Sequence, residues 1–172
     1  MRRRAPLETA VARHNIEFLT NICYITNFMS LQNDTRPRPV SNGVKPIHTD
    51  KAPQAIGPYS QAVVAGNLIF CSGQIPTNPA TGEFVQGGIK EQTKQVFKNL
   101  GEVLRAAGLG FDSVASVNVY LRDMNDFKEM NEVYAKTFGE YKPARATVGV
   151  SALPKNALIE ISCIAQAADL RK

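Results

Sequence analysis

The chain has 172 residues, 44% of them hydrophobic, and 20 Lys/Arg against 15 Asp/Glu. That length suits one domain plus an extension, and no apolar run is long enough to cross a bilayer as a helix. Residues 1–47 hold seven Arg/Lys and three Asp/Glu, leaving thirteen and twelve for the remainder. The basic excess therefore belongs mainly to the leader, and the rest lacks the basic stripe of a nucleic-acid binder.

Residues 1–49 read as a leader. They open Met1-Arg2-Arg3-Arg4, continue through Ile16, Phe18, Leu19, Ile22, Tyr24, Ile25 and Phe28, and end in the polar, proline-bearing linker Gln32–Pro39. An arginine-rich, acid-poor, helix-capable leader reads as a mitochondrial presequence. This places the protein in the mitochondrial matrix, with the cytoplasm as the alternative. Glu8 and Glu17 argue the other way, and a tail, or a true start at Met29, remains a competing reading.

The folded domain is assigned to residues 50–172, compact from near Lys51. Val63–Ala65 and Leu68–Ser72 flank Gly66-Asn67, a dipeptide suited to a two-residue hairpin turn. Asn78–Gly82 is a further turn. A helix follows from about Ile89, with Val96, Phe97, Leu100, Val103, Leu104 and Ala107 on one face and Gly108 as a left-handed stop. Val114–Leu121 alternates as a strand. Asn125 or Asp126 caps a second helix whose stripe is Phe127, Met130, Tyr134 and Phe138, and Gly139 ends it. Ala144–Val150 and Ala157–Gln166 close the domain as strands. The order gives an α+β layer with two helices on one face of a mixed or antiparallel sheet.

Cys23, Cys71 and Cys163 form no CxxC pair, which argues against a disulfide scaffold and a zinc site. They read as buried small hydrophobes in a reducing compartment. The two histidines, His14 and His48, lie outside the compact region, so a histidine triad or metal site in the core is excluded.

Arg145 and Glu160 stand out because each interrupts an apolar strand. A guanidinium offers a fork matched to a carboxylate, and a glutamate among Ile and Leu is costly unless paired or at work. A hairpin through Ser151–Asn156 is expected to bring Arg145 and Thr147 beside Glu160 and Ser162 on the sheet face away from the helices. The pair reads either as a clamp for a small acidic substrate with a proton-transfer group, or as an interface salt bridge. The second sheet face, with Leu158 and Ile164, is too apolar for plain solvent surface, and self-association is its simplest cover.

Several blocks, in order, resemble the Rid family of YjgF-type proteins and its RidA branch. They are Ala55–Gln61, Cys71–Pro76, Gly101–Gly108, Asp123–Phe127, Asn131–Tyr134, Lys142–Arg145, Leu153-Pro154, Ile159–Ile161 and Ile164-Ala165. The resemblance covers roughly Lys51 to Ala167, and the arginine-bearing leader is similar to those of mitochondrial fungal members. It implies a chorismate-mutase-like α+β fold and a homotrimer with a barrel-like core and a cleft at each subunit interface. It implies hydrolytic deamination of 2-iminobutanoate, 2-iminopropanoate and related enamines to 2-keto acids and ammonia. That activity protects pyridoxal-phosphate enzymes and supports isoleucine biosynthesis and mitochondrial maintenance. No cofactor and no metal are implied. Arg145 is expected to hold the substrate carboxylate, Glu160 to act near the attacking water, and Tyr59, Ser72, Gly73 and Asn131 to line the cleft. Many relatives carry cysteine where this chain has Thr147. The alternative is a non-catalytic ligand-binding or regulatory module, or a translation-inhibiting, ribonuclease-type one.

Overall fold

A computed structural model describes residues 43–167; the leader up to residue 42, with Cys23 and His14, lies outside the described residues. Six strands form one sheet: β1 (Val44–Ile47), β2 (Ala62–Ala65), β3 (Leu68–Gln74), β4 (Val114–Leu121), β5 (Ala144–Gly149) and β6 (Ile159–Gln166), in the order β1-β2-β3-β6-β4-β5. Two helices, α1 (Ile89–Ala106) and α2 (Phe127–Phe138), complete the α+β architecture. The sheet already includes Val44–Ile47, paired antiparallel with β2, upstream of the Lys51 start expected for the compact region.

The local signals act where glycine permits them. Gly66 (φ 63°) turns β2 into β3. Gly108 (φ 75°) ends α1, and Leu109 N reaches back to Leu104 O at 2.9 Å, closing the helix with a left-handed cap. Gly139 (φ 57°, ψ −125°) ends α2 by a turn instead, its N–H donating to Ala135 O at 2.9 Å and Tyr141 N to Phe138 O at 3.0 Å. At the start of α2 the cap is shared. Asp126 occupies the N-cap without a side-chain bond, and Asp123 accepts from Asn125 N at 2.9 Å one turn earlier.

Both helices cover one sheet face. Val96, Leu100, Val103 and Leu104 of α1 and Met130 of α2 are sealed against Val117, Val119 and Leu121 of β4 and Ile159, Ile161, Cys163 and Ala165 of β6. Phe97, Phe111, Tyr134 and Phe138 meet largely edge to face, with centroids 5.4–5.8 Å apart for four of the pairs, the favoured aromatic geometry.

The expected hairpin between the last two strands does not form. β6 lies between β3 and β4, antiparallel to both, and β5 runs parallel to β4 at the sheet edge. The connection β4–α2–β5 is thus a crossover unit, as parallel neighbours require. The residues explain why. β6 is buried along its Ile159, Ile161, Cys163 and Ala165 side and half-buried along most of the other, as a central strand is, whereas β5 is preceded by Lys142-Pro143 and is largely exposed, as an edge strand tolerates. The short connection through Ser151–Asn156 favours a hairpin locally, and the sheet as a whole overrides it.

Buried amides tie loops to this frame. Gln61, 2% exposed, accepts from Thr49 N at 2.7 Å and donates to Thr49 O at 3.0 Å and Pro53 O at 2.8 Å, fastening residues 49–53 to the start of β2. Asn99, fully buried in α1, donates to Thr77 O at 2.9 Å and Ile75 O at 3.2 Å. Each would cost free energy unpaired, and each is paired. Cys71 and Cys163, buried cross-strand partners, also sit on the helix face. The Cys71 contact, and then burial, push the Cys163 thiol up, and both thiols, buried in the core, serve as packing groups.

Candidate active site

The register settles which side chains meet. In paired strands, residues opposite one another share a face. Glu160 is opposite Tyr120, and Ser162 opposite Asn118, on the sheet face away from the helices. Arg145 is opposite Val117 and Thr147 opposite Val119, on the helix face. Within the chain Arg145 and Glu160 therefore occupy opposite faces of the sheet. The expectation that they lie side by side in one chain is corrected.

The Glu160 half is a cleft of about 590 Å³ lined by Ile56, Tyr59, Ser72, Gly73, Pro154 and Lys155, together with Ile75 and Glu160. Three of the expected site residues thus join Glu160. A register shift between Cys71 and Gln74 lets β3 bulge at Ser72-Gly73, a common device beside functional sites. Ser72 is spent on structure: Oγ donates to Ser60 O at 2.6 Å and its N–H to Gln61 O at 3.0 Å. A β-carbon built on Gly73 would overlap Glu160 Oε1 and lie 2.8 Å from its Cδ, so the carboxylate occupies the space a side chain would take. Tyr59 follows a tight turn, its N–H donating to Gly57 O at 2.9 Å. Half its surface remains exposed, at 51%, and its hydroxyl accepts from Ile56 N at 3.3 Å.

Burial pushes the Glu160 carboxyl above the usual range, the sense that suits a group exchanging protons nearer neutral pH. The folded chain then holds the proton more tightly than the unfolded one. Glu160 consequently lowers stability as pH rises above the ordinary value of 4.5. Glu160→Gln is expected to raise Tm at neutral pH, with the gain vanishing as pH falls below that value. Thermal melts of both proteins across this range check it, and equal melting at neutral pH would refute it.

The Arg145 half is a separate pocket of about 350 Å³, between α2 and the start of β5, that includes Asn131, Tyr134, Tyr141 and Lys142. Arg145 Nη1 donates to Asn131 Oδ1 at 2.8 Å, and the guanidinium carbon lies 4.3 Å from the centre of the Tyr134 ring and 5.7 Å from that of Phe127. One amide and two rings thus fix the plane of an exposed cation while leaving donors of its fork available. Asn131 belongs with Arg145, not with the Glu160 cleft. The helical stripe marks Tyr134, the residue beneath the guanidinium, only as a core position. Its position three residues after Asn131, on the same side of a helix, was the available signal.

An α+β domain of this kind, with a small carboxylate-bearing cleft on its bare sheet face and a guanidinium pocket at its edge, has the dimensions of a small-molecule site. The chain belongs to the Rid, or YjgF-type, family: the profile described as Endoribonuclease L-PSP matches residues 49–167. It is 60% identical over 119 residues to a RutC family protein of Pyrococcus horikoshii, covering 69% of this chain and 94% of that one. It is 50% identical to the human 2-iminobutanoate/2-iminopropanoate deaminase, covering 69% and 87%. The crystal structure of yeast Mmf1 superposes with a TM-score of 0.71 at 44% identity, covering 73% of this chain and 99% of Mmf1.

Proposed function

We propose that this protein hydrolyses 2-iminobutanoate, 2-iminopropanoate and related enamines to 2-keto acids and ammonia, working as a homotrimer without a cofactor. The observation that carries the reading is the separation of the two half-sites onto opposite sheet faces. A guanidinium and a carboxylate that cannot meet within a chain can meet between copies. The bare sheet face supplies a reason for copies to pack. Phe70, 40% exposed, and Val148, 46% exposed, surround the polar stripe of Asn118, Ser162 and Glu160, and such a face is normally covered. The deaminase named among the relatives supports the same chemistry.

In the mechanism, the Arg145 fork, held by Asn131, grips the substrate carboxylate through two parallel hydrogen bonds. The imine carbon then lies in the neighbouring subunit's cleft. A water beside Glu160 attacks that carbon and passes a proton to the carboxylate, which hands it to the imine nitrogen to give a neutral tetrahedral amino alcohol. Glu160 then takes the hydroxyl proton and delivers it to the amine nitrogen. The C–N bond breaks as the carbonyl forms, and ammonia leaves with the carboxylate restored. The balance is imine plus water to keto acid plus ammonia. Orientation supplies much of the rate, and a carboxylate raised toward neutrality serves both proton steps.

The test couples a threonine dehydratase to the purified full chain and traps free imine with semicarbazide. Suppressed trapping supports the deaminase. Unchanged trapping removes it and leaves the ligand-binding module. The leader ahead of β1 is proposed as a mitochondrial presequence: residues 1–40 fused to a fluorescent protein are expected to direct it to mitochondria, and a diffuse cytosolic signal would reject the assignment.

A further inference from the structure

Among the described residues, non-glycine backbone takes positive φ at two positions, and they are adjacent: Lys155 (φ 52°) and Asn156 (φ 58°). Such residues stay there only where their surroundings hold them. The turn they form, Pro154–Asn156, is part of the site, because Pro154 and Lys155 line the Glu160 cleft.

The bonds inside the turn are local: Asn156 N donates to Leu153 O and Ala157 N to Pro154 O, both at 3.1 Å. The restraint from outside comes largely from Arg122. This residue directly follows β4, whose Leu121 is in register with Ile159 of β6. Its backbone N–H extends that ladder by donating to Leu158 O at 3.0 Å. Its guanidinium reaches further and donates to Asn156 O at 2.8 Å. On the other side Gln92 of α1 accepts from Leu158 N at 2.9 Å. The carbonyl of a left-handed residue is thus held by a charged donor fixed to the sheet, and charged donors make the stronger hydrogen bonds.

We propose that Arg122 is a positioning residue of the cleft. By holding the Asn156 carbonyl it keeps Pro154 and Lys155 in the wall that faces the substrate beside Glu160. The proposal rests on the imine-hydrolysis reading for its kinetic consequence. Loosening the turn touches neither Arg145 nor Glu160, so it weakens binding of the substrate more than the chemistry of substrate already bound.

Full-length Arg122→Ala and Arg122→Lys proteins test this by three readouts: amide exchange at Asn156 and Ala157, Tm, and KM against kcat for 2-iminobutanoate. In Arg122→Ala, exchange at the two amides is expected to quicken about tenfold, the scale of one charged hydrogen bond. KM is expected to rise about fivefold with kcat within about twofold of wild type. Arg122→Lys should recover part of both effects, because an ammonium can still donate to one carbonyl. A lower Tm with wild-type exchange and wild-type KM would show a merely structural arginine and overturn the proposal. If the wild type does not turn over imine, the functional reading fails on its own. The exchange rates then decide Arg122: faster exchange confined to the turn upholds its positioning role, and unchanged exchange removes it.

Discussion

Arg145→Ala is expected to lower kcat/KM for 2-iminobutanoate about 100-fold or more, because two charged hydrogen bonds to the substrate carboxylate disappear together. Stability should fall by no more than about 1 kcal/mol, the scale of an exposed cation–π contact such as that with Tyr134. Arg145 is exposed and forms no salt bridge among the described residues, and its side-chain hydrogen bond is to Asn131. The same variant tests the shared site. Mixed with Glu160→Ala subunits under conditions that exchange chains, it is expected to regain activity that neither protein has alone. In a closed trimer of equal, randomly mixed chains, about one site in four joins an intact Arg145 to an intact Glu160. Recovery near a quarter of wild-type activity, read by imine trapping after exchange, is therefore the expected result. Mixed assemblies as inactive as their parents would show that the halves do not meet between copies. Size-exclusion chromatography with light scattering on each parent distinguishes that outcome from a failure to assemble.

What could be read from the sequence follows the range of the interaction. Gly66, Gly108 and Gly139 act within a turn or two of themselves, and the hairpin and both helix ends fall where those residues put them. The stripes of α1 and α2 likewise reveal the buried face, because a 3.6-residue period is written in the chain. The pairing partner of β5 is not written in that way. It depends on β6 being claimed from both sides by β3 and β4, which is a property of the whole sheet. Arg145 and Glu160 were identifiable as unusual residues in apolar strands, yet their mutual placement inherited the wrong pairing. The amides of Gln61, Gln92 and Asn99 were equally hidden. Their partners are backbone groups 8 to 66 positions away, and no local pattern announces a side chain whose work is to satisfy a distant loop. The bulge at Ser72-Gly73 lies between these cases, since glycine at a strand end suggested close approach without saying to what.

Gly73→Ala is the substitution by which that close approach can be measured. The added methyl would occupy the place of Glu160 Oε1, and because the obstacle is the end of a side chain, the carboxylate can swing aside and the subunit can fold. Stability is expected to fall by about 1 kcal/mol, the low end of overpacking costs. Turnover is expected to fall about 100-fold, the penalty for displacing a reacting group by about an ångström. A double-mutant cycle identifies the cause. If Gly73 serves only to leave room for the Glu160 carboxylate, then Glu160→Ala added to Gly73→Ala should cost little further activity, although each change alone is severe. Fully additive losses would mean that Gly73 acts through something else, such as the path of β3 at the bulge. Wild-type kcat in Gly73→Ala would mean that the carboxylate position does not govern the reaction, and the role proposed for Glu160 would fall with it.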